Sequence, residues 1–247
     1  MIPKIIHYCW FGHNPYPPVI EKCIASWRKF MPDYEIMLWD EERFDISNSC
    51  DFVKQAYENK KFAFVSDYVR LYALYNYGGI YLDTDVEIIK HWPDEFLYEH
   101  AGYALDEGGY ISVVMFSEGN NMVHKKLLDM YDNMSFVNED GSYNTEVNNT
   151  YIQHELEPLG YKRENALQRL TDGTVLFPDD FFHCRSLTSG KLHITNNSYS
   201  IHWHTILWAS KKTKFINFLR INILVPLFGS RLYSYITKKI KRNATTI

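Results

Sequence analysis

A chain of 247 residues that is 46% hydrophobic and 16% aromatic, with 19 Tyr, excludes a disordered protein and can bury a sizeable core without covalent staples. Its four cysteines, Cys9, Cys23, Cys50 and Cys184, contain no C-x-x-C, which argues against a zinc ribbon or a disulfide framework and fits a reducing compartment. The net charge of -4 is unevenly spread: Met1 to Asp180 holds all 30 acidic residues against 15 Lys/Arg, while Phe181 to Ile247 holds 11 Lys/Arg and no acid.

The opening MIPKIIHYCWF lacks the charge pattern and small-residue cleavage site of a signal peptide. No window reaches the roughly 18 to 20 apolar residues of a spanning helix. A cytoplasmic protein is therefore expected rather than a Golgi enzyme with an N-terminal anchor. The Asn-x-Ser/Thr matches at Asn133, Asn148, Asn196 and Asn243 then carry little weight.

In chain order, Ile2 to Gly12 reads as a buried first strand followed by a glycine turn. Open α/β sheets usually offer a nucleotide site at the carboxyl end of such a strand. Trp10 stands there, either to stack on a base or simply to pack in the core. His7 reads as structural. Pro17 and Pro18 precede a helix whose apolar face is Ile20, Cys23, Ile24, Trp27 and Phe30. Tyr34 to Trp39 is a strand, and Asp40-Glu41-Glu42 opens the next loop or helix. The β-α-β-α-β order predicts a mostly parallel sheet.

The stretch Phe62 to Ile88 organises the rest. Ala63, Asp67, Arg70, Leu71 and Leu74 share one helical face, Gly78-Gly79 stops the helix, and Ile80-Tyr81-Leu82 is a short buried strand. Asp67 and Arg70 lie on the apolar stripe, where charge is costly unless paired or in use; an i,i+3 ion pair is the plain reading. Asp83 and Asp85, two apart in an extended segment, point the same way. Such a pair reads either as a turn or as two hard ligands for Mg²⁺ or Mn²⁺ beside phosphate oxygens. An EF-hand is excluded, because its sixth and twelfth positions would be Ile88 and Asp94.

Further on, His91 to Asp94 is a turn, and two strands flank Asp106-Glu107-Gly108-Gly109, an acidic hairpin that is also a candidate for sugar contacts. Gly119 to Tyr131 is a helix. Residues 132–150 form a polar surface loop suited to a lid or an acceptor-side insertion. Thr174 to Pro178 is a late strand, with Asp179/Asp180 a structural acidic turn. Beyond residue 210, apolar residues such as Phe215, Ile216, Phe218, Ile223 and Leu224 interleave with Lys211, Lys212, Lys214 and Arg220. That pattern suits helices on an anionic membrane surface or, more plainly, a helix pair capping the domain; no nucleic-acid-binding module accompanies it.

The segment S-D-x-x-R followed by Tyr-Gly-Gly-x-Tyr-x-Asp-x-Asp, met by Ser66, Asp67, Arg70, Tyr77, Gly78, Gly79, Tyr81, Asp83 and Asp85, resembles the sugar-binding region of family 32 glycosyltransferases. It also resembles the core of the clostridial glucosylating toxins. The resemblance covers residues 2–90 well and 170–210 loosely. It implies a GT-A type nucleotide-diphospho-sugar transferase fold, a mostly parallel mixed sheet flanked by helices, over residues 1–210, with 211–247 as a basic amphipathic appendage.

It also implies a retaining hexosyltransferase using a nucleotide sugar, UDP-galactose or UDP-glucose favoured and GDP-mannose the alternative, with Mn²⁺ (or Mg²⁺) on Asp83 and Asp85. Trp10 would stack on the base, and Ser66, Asp67, Arg70, Tyr81 and Asp83 would bind the donor. In the closing segment His202 and Trp208 match the family's loop over the diphosphate, but Leu207 replaces its usual Ser, so His204 or Thr205 is expected to supply the missing metal ligand. The expected acceptor is a glycan, in particular a lipid-linked glycan of a capsule or surface polysaccharide, extended at the inner face of the membrane. A non-catalytic carbohydrate- or membrane-binding module and a carboxylate-pair hydrolase are the competing classes; a toxin-like transferase acting on protein would need delivery machinery.

Overall fold

The computed structural model describes residues 1–205 and 211–229. Its first half runs β1 (Ile5–Cys9), α1 (Pro18–Phe30), β2 (Glu35–Trp39), α2 (Asp51–Glu58), α3 (Phe62–Tyr77), β3 (Gly79–Tyr81) and β4 (Val86–Ile88). There follow β5 (Ala101–Leu105), β6 (Ile111–Ser117), α4 (Met122–Asp132), α5 (Asn148–Leu156), β7 (Gln168–Arg169), β8 (Val175–Phe177), α6 (Asp179–Phe182) and β9 (Ser200–His202). Helix α7 (Lys211–Leu219), a π-helical turn over Arg220–Leu224 and α8 (Val225–Phe228) come last. The rest of the expected C-terminal appendage lies outside the described residues.

Seven strands form one mixed sheet in the order β2-β1-β3-β6-β5-β8-β7. The β1–β2, β1–β3 and β5–β8 pairs are parallel, and β3–β6, β5–β6 and β7–β8 are antiparallel. The chain thus has the α/β architecture anticipated, a mixed sheet flanked by helices. One hydrophobic core lies between the sheet and α2–α5, the other between the sheet and α1, β4 and α6. Strands β4 and β9 pair antiparallel in a small second sheet.

Two glycines end the central helix and let β3 come hard against the first strand. Gly78 caps α3 at φ 65°, its N–H donating to Leu74 O at 3.0 Å. Gly79 stands at φ 109°, and a Cβ there would lie 2.7 Å from the Ile5 carbonyl oxygen. His7 locks the same corner. Its Nδ1 accepts from Trp39 Nε1 at 3.1 Å, which leaves Nε2 to donate to Gly78 O at 2.7 Å. Burial pushes this imidazole down to about 4, so it stays neutral, a structural pin.

The stretch at 132–150 is not wholly a surface loop. Its end is the start of α5, and Asn148 is fully buried against α3.

Candidate active site

The site lies where β1 and β3 end. Arg70, on the inward face of α3, is its hub. Its Nη2 is 3.1 Å from Asp67 Oδ1 and 3.3 Å from Asp83 Oδ1, and its Nε donates to Ser66 O at 3.3 Å. The guanidinium lies 4.8 Å from the centre of the Tyr81 ring, whose hydroxyl donates to Asp83 Oδ1 at 3.1 Å. The i,i+3 pair and the functional arrangement are therefore one object: Arg70 holds Asp67 behind it and Asp83 in front. Burial pushes the Asp67 carboxyl up to about 6, an effect Arg70 offsets only in part. The Ser66 hydroxyl is spent on Phe62 O at 3.0 Å.

Asp83 and Asp85 converge, but not as neighbours on a strand. Residues 83–85 form a turn, with Val86 N–H donating to Asp83 O at 3.0 Å, and that turn brings the carboxylates together. Register supplies the third group. Val86 faces His202 across the β4–β9 ladder, so His202 lands beside Asp85, with Nε2 3.2 Å from Oδ1. The other carboxylate oxygen of Asp85 accepts from Thr205 N at 2.7 Å and Thr205 Oγ1 at 2.9 Å. Burial opposes ionisation of Asp85, yet the His202 charge and these hydrogen bonds outweigh it and hold the carboxyl well below its usual range. His202 shifts the opposite way, burial lowering it and Asp85 raising it more.

Asp83, Asp85 and His202 can each offer a ligand atom within 4.8 Å of the others. The structure thus puts His202, not His204, in the set with both carboxylates. Thr205 is turned onto Asp85 by a backbone at φ 52° at His204, and the His204 ring goes instead to His183 and His202. The Thr205 hydroxyl, expected as a metal ligand, donates to Asp85. Trp10 is half-buried at the end of β1, edge-on to Tyr16 at 5.0 Å, with Nε1 donating to Asn14 O at 2.6 Å. Trp208 lies outside the described residues. Asp106 caps its own hairpin by accepting from Gly108 N and Tyr110 N, and Asp179 pairs with His193 and Asn165.

Two residues escaped sequence reasoning. Asn148 sends its N–H to Asp67 Oδ2 at 3.4 Å and its amide group to Asp67 O at 3.3 Å, and nothing in its polar surroundings marks it. His183 lies 19 positions before His202 and meets it only through the fold.

Residues 17–102 match the family model of the glycosyltransferase sugar-binding region containing a DXD motif. Over that stretch the chain is similar to family 32 glycosyltransferases. Over 91 residues it is 38% identical to inositol phosphoceramide mannosyltransferase 3 of Schizosaccharomyces pombe, a match covering 34% of this chain and 24% of that protein. Over 157 residues it is 26% identical to subversion of eukaryotic traffic protein A of Legionella pneumophila, covering 50% of this chain and 24% of that one. The chain therefore spans about a quarter of the length of the curated relatives it matches. Among solved structures it is similar to the PaToxG glycosyltransferase, with 20% identity, a TM-score of 0.49, and 64% of this chain and 68% of that one covered.

Proposed function

We propose that the chain is a retaining, divalent-cation-dependent hexosyltransferase that takes its sugar from a nucleotide sugar. The observation that carries this is the convergence of Asp83, Asp85 and His202 where β3 ends, with the Asp67–Arg70 pair directly behind. Asp67 and Asp83 share one guanidinium, and Asp85 stands beside them against His202. A diphosphate, itself anionic, is repelled by such a site unless a cation stands between. Two carboxylates and one imidazole are a donor set that fits Mn²⁺ or Mg²⁺. Once bound, the cation would neutralise negative charge on the departing diphosphate.

The chain's own residues do the rest. Arg70 fixes Asp83, and Thr205 and His202 fix Asp85, so neither carboxylate needs to reorganise during the reaction. Asp67 and Arg70 can hydrogen-bond sugar hydroxyls from the buried side, and Trp10 offers a ring face to the base. The hexose is then positioned for attack by an acceptor hydroxyl from the face the diphosphate leaves.

For the acceptor we propose a lipid-linked glycan of a surface polysaccharide, met at the inner face of the membrane. Phe215, Ile216, Phe218 and Leu227 are exposed on a segment rich in Lys and Arg and free of acid. No described helix is long and apolar enough to cross a membrane. UDP-galactose or UDP-glucose is the favoured donor; the mannosyltransferase relative supports GDP-mannose as the second reading.

The test is nucleotide release from a panel of UDP- and GDP-sugars with Mn²⁺ or with chelator, for wild type and Asp83→Asn. Metal-dependent release from one donor, lost in the variant, is the expected result. A folded protein that binds no donor would return residues 83–85 to being a turn and leave a non-catalytic module.

A further inference from the structure

We propose that His183, His202 and His204 form a second cation site, a three-imidazole centre for a borderline transition metal of the Zn²⁺ class, which shares His202 with the carboxylate site. The three rings come from two elements. His183 follows α6, and its carbonyl accepts from His202 N–H; His202 ends β9, and His204 follows it. Ring centroids are 3.9 Å apart for His202–His204, 4.4 Å for His183–His204 and 5.2 Å for His183–His202. One nitrogen from each can lie within 4.8 Å of the others. Zn–N bonds of about 2.0–2.1 Å around one ion ask only for a modest closing of that triangle.

Unused nitrogens point to a ligand. His202 is 8% exposed, and its Nε2 faces Asp85, so Nδ1 is left buried with no partner. His204 Nε2 is likewise buried with no partner. Two orphaned ring nitrogens in one cluster are costly unless something accepts them. The Asp85–His202 contact has the form by which proteins orient ligating histidines, with a carboxylate on one ring nitrogen and the metal on the other. His204 also holds the left-handed region at φ 52°, a strained backbone of the kind that clusters at sites.

Charge is compatible. The nearby cation, Arg185, spends Nη1 on Trp203 O at 2.6 Å and Nε on Gly190 O at 3.2 Å, while anionic Asp85 stands on the far side of His202. An all-imidazole set suits Zn²⁺ and its neighbours in the transition series, whereas Mg²⁺ and Mn²⁺ favour oxygen. The site would tie the 202–205 segment to α6 and so hold Thr205 on Asp85.

The experiment uses the full chain, stripped with chelator and titrated with Co²⁺ and Zn²⁺. The expected result is one Zn²⁺ per chain, a visible Co²⁺ ligand-field band typical of nitrogen ligands, and a Zn²⁺-dependent rise in melting temperature. His204→Gln, at a half-buried ring, should weaken Zn²⁺ binding at least about 100-fold while the metal-free variant melts like metal-free wild type; His183→Asn is the second variant. Asp83→Asn should leave Zn²⁺ binding unchanged, and excess Mg²⁺ should not displace it. A stripped chain that gives no Co²⁺ band would overturn the proposal. So would Zn²⁺ binding that Asp83→Asn abolishes and His204→Gln spares, because the ion would then sit on the carboxylates.

Discussion

Replacing Arg70 by Met keeps the length and packing of the side chain and deletes the charge at the hub of the site. The side chains of Arg70 and Asp67 are 7% and 11% exposed, so this pair is buried. After Arg70→Met, the carboxyl of Asp67 retains, among the described residues, the long 3.4 Å contact from Asn148 N and must stay in the interior as an uncompensated carboxyl. Breaking a buried pair by removing one partner costs about 3–5 kcal/mol, against about 0–1 kcal/mol for an exposed pair. The loss is a large part of the 5–15 kcal/mol, roughly, that holds a typical domain together.

The double variant Asp67→Asn/Arg70→Met removes both charges and should recover at least half of that loss. Urea unfolding followed by tryptophan fluorescence and circular dichroism measures all four corners of the cycle. Donor binding, measured in parallel, should be lost in Arg70→Met and stay lost in the double variant. Stability that returns without binding would identify the pair as held for function at a cost to the fold. An Arg70→Met variant within about 1 kcal/mol of wild type, or a double variant equal to the sum of the singles, would refute the reasoning.

Three shorter tests probe other parts of the structure. Gly79→Ala places a Cβ 2.7 Å from Ile5 O at a φ of 109°, so a loss of at least about 1–3 kcal/mol is expected in urea unfolding; wild-type stability would show that β3 and β1 do not meet this closely. Asp67 has a folded value of about 6, above the ordinary 3.8, so its contribution is fully present below pH 3.8 and is lost as pH rises through 6. Wild-type stability should therefore lose on the order of 3 kcal/mol to this group across that window, at about 1.36 kcal/mol per pH unit, and the slope should flatten in Asp67→Asn. Joint Phe215→Asp and Ile216→Asp changes should reduce sedimentation with anionic vesicles and leave neutral vesicles unaffected; unchanged sedimentation would remove the membrane reading.

What could be seen in the sequence was local. Helix α3, its glycine stop and β3 follow from a helical repeat that breaks at Tyr77-Gly78-Gly79, and each of those signals lies within a few residues of the feature it predicts. Asp67 and Arg70 stood out because charge on an apolar stripe needs a reason. The partner of Asp85 was only half legible. His202 was noticed as a motif match, but the β4–β9 register that seats it against Asp85 is a contact across more than a hundred residues, and a period-2 pattern in three-residue strands cannot specify it. Asn148 was hidden for another reason. Its helix, NNTYIQHEL, buries only Asn148, Ile152 and Leu156, too sparse a pattern to stand out from the polar stretch before it.

The site's two halves are stabilised in opposite ways, and this bears on which half moves. Arg70 and Asp67 lie on α3, packed in the first core, and Tyr81 lies on β3, which stands between both cores, so the first half is rigid before any ligand arrives. Among the described residues, Asp85 is clamped by the 202–205 segment, through His202 and the two Thr205 donors, and that segment is anchored by a three-residue strand pair and the Arg185 and Glu87 contacts of Trp203. A cation entering between Asp83 and Asp85 has to compete with the Thr205 donors for one Asp85 oxygen and with the proton His202 shares with the other, before His202 can turn to it as a ligand. Binding is therefore coupled to the position of the closing segment, not merely added to a finished pocket. On this argument Thr205→Val, which removes the hydroxyl donor and keeps the backbone N–H, frees one lone pair of Asp85. It should tighten Mn²⁺ binding in the absence of nucleotide while loosening the segment, seen as faster amide exchange at residues 200–205. Weaker Mn²⁺ binding in that variant would instead make the Thr205 hydroxyl a ligand in its own right.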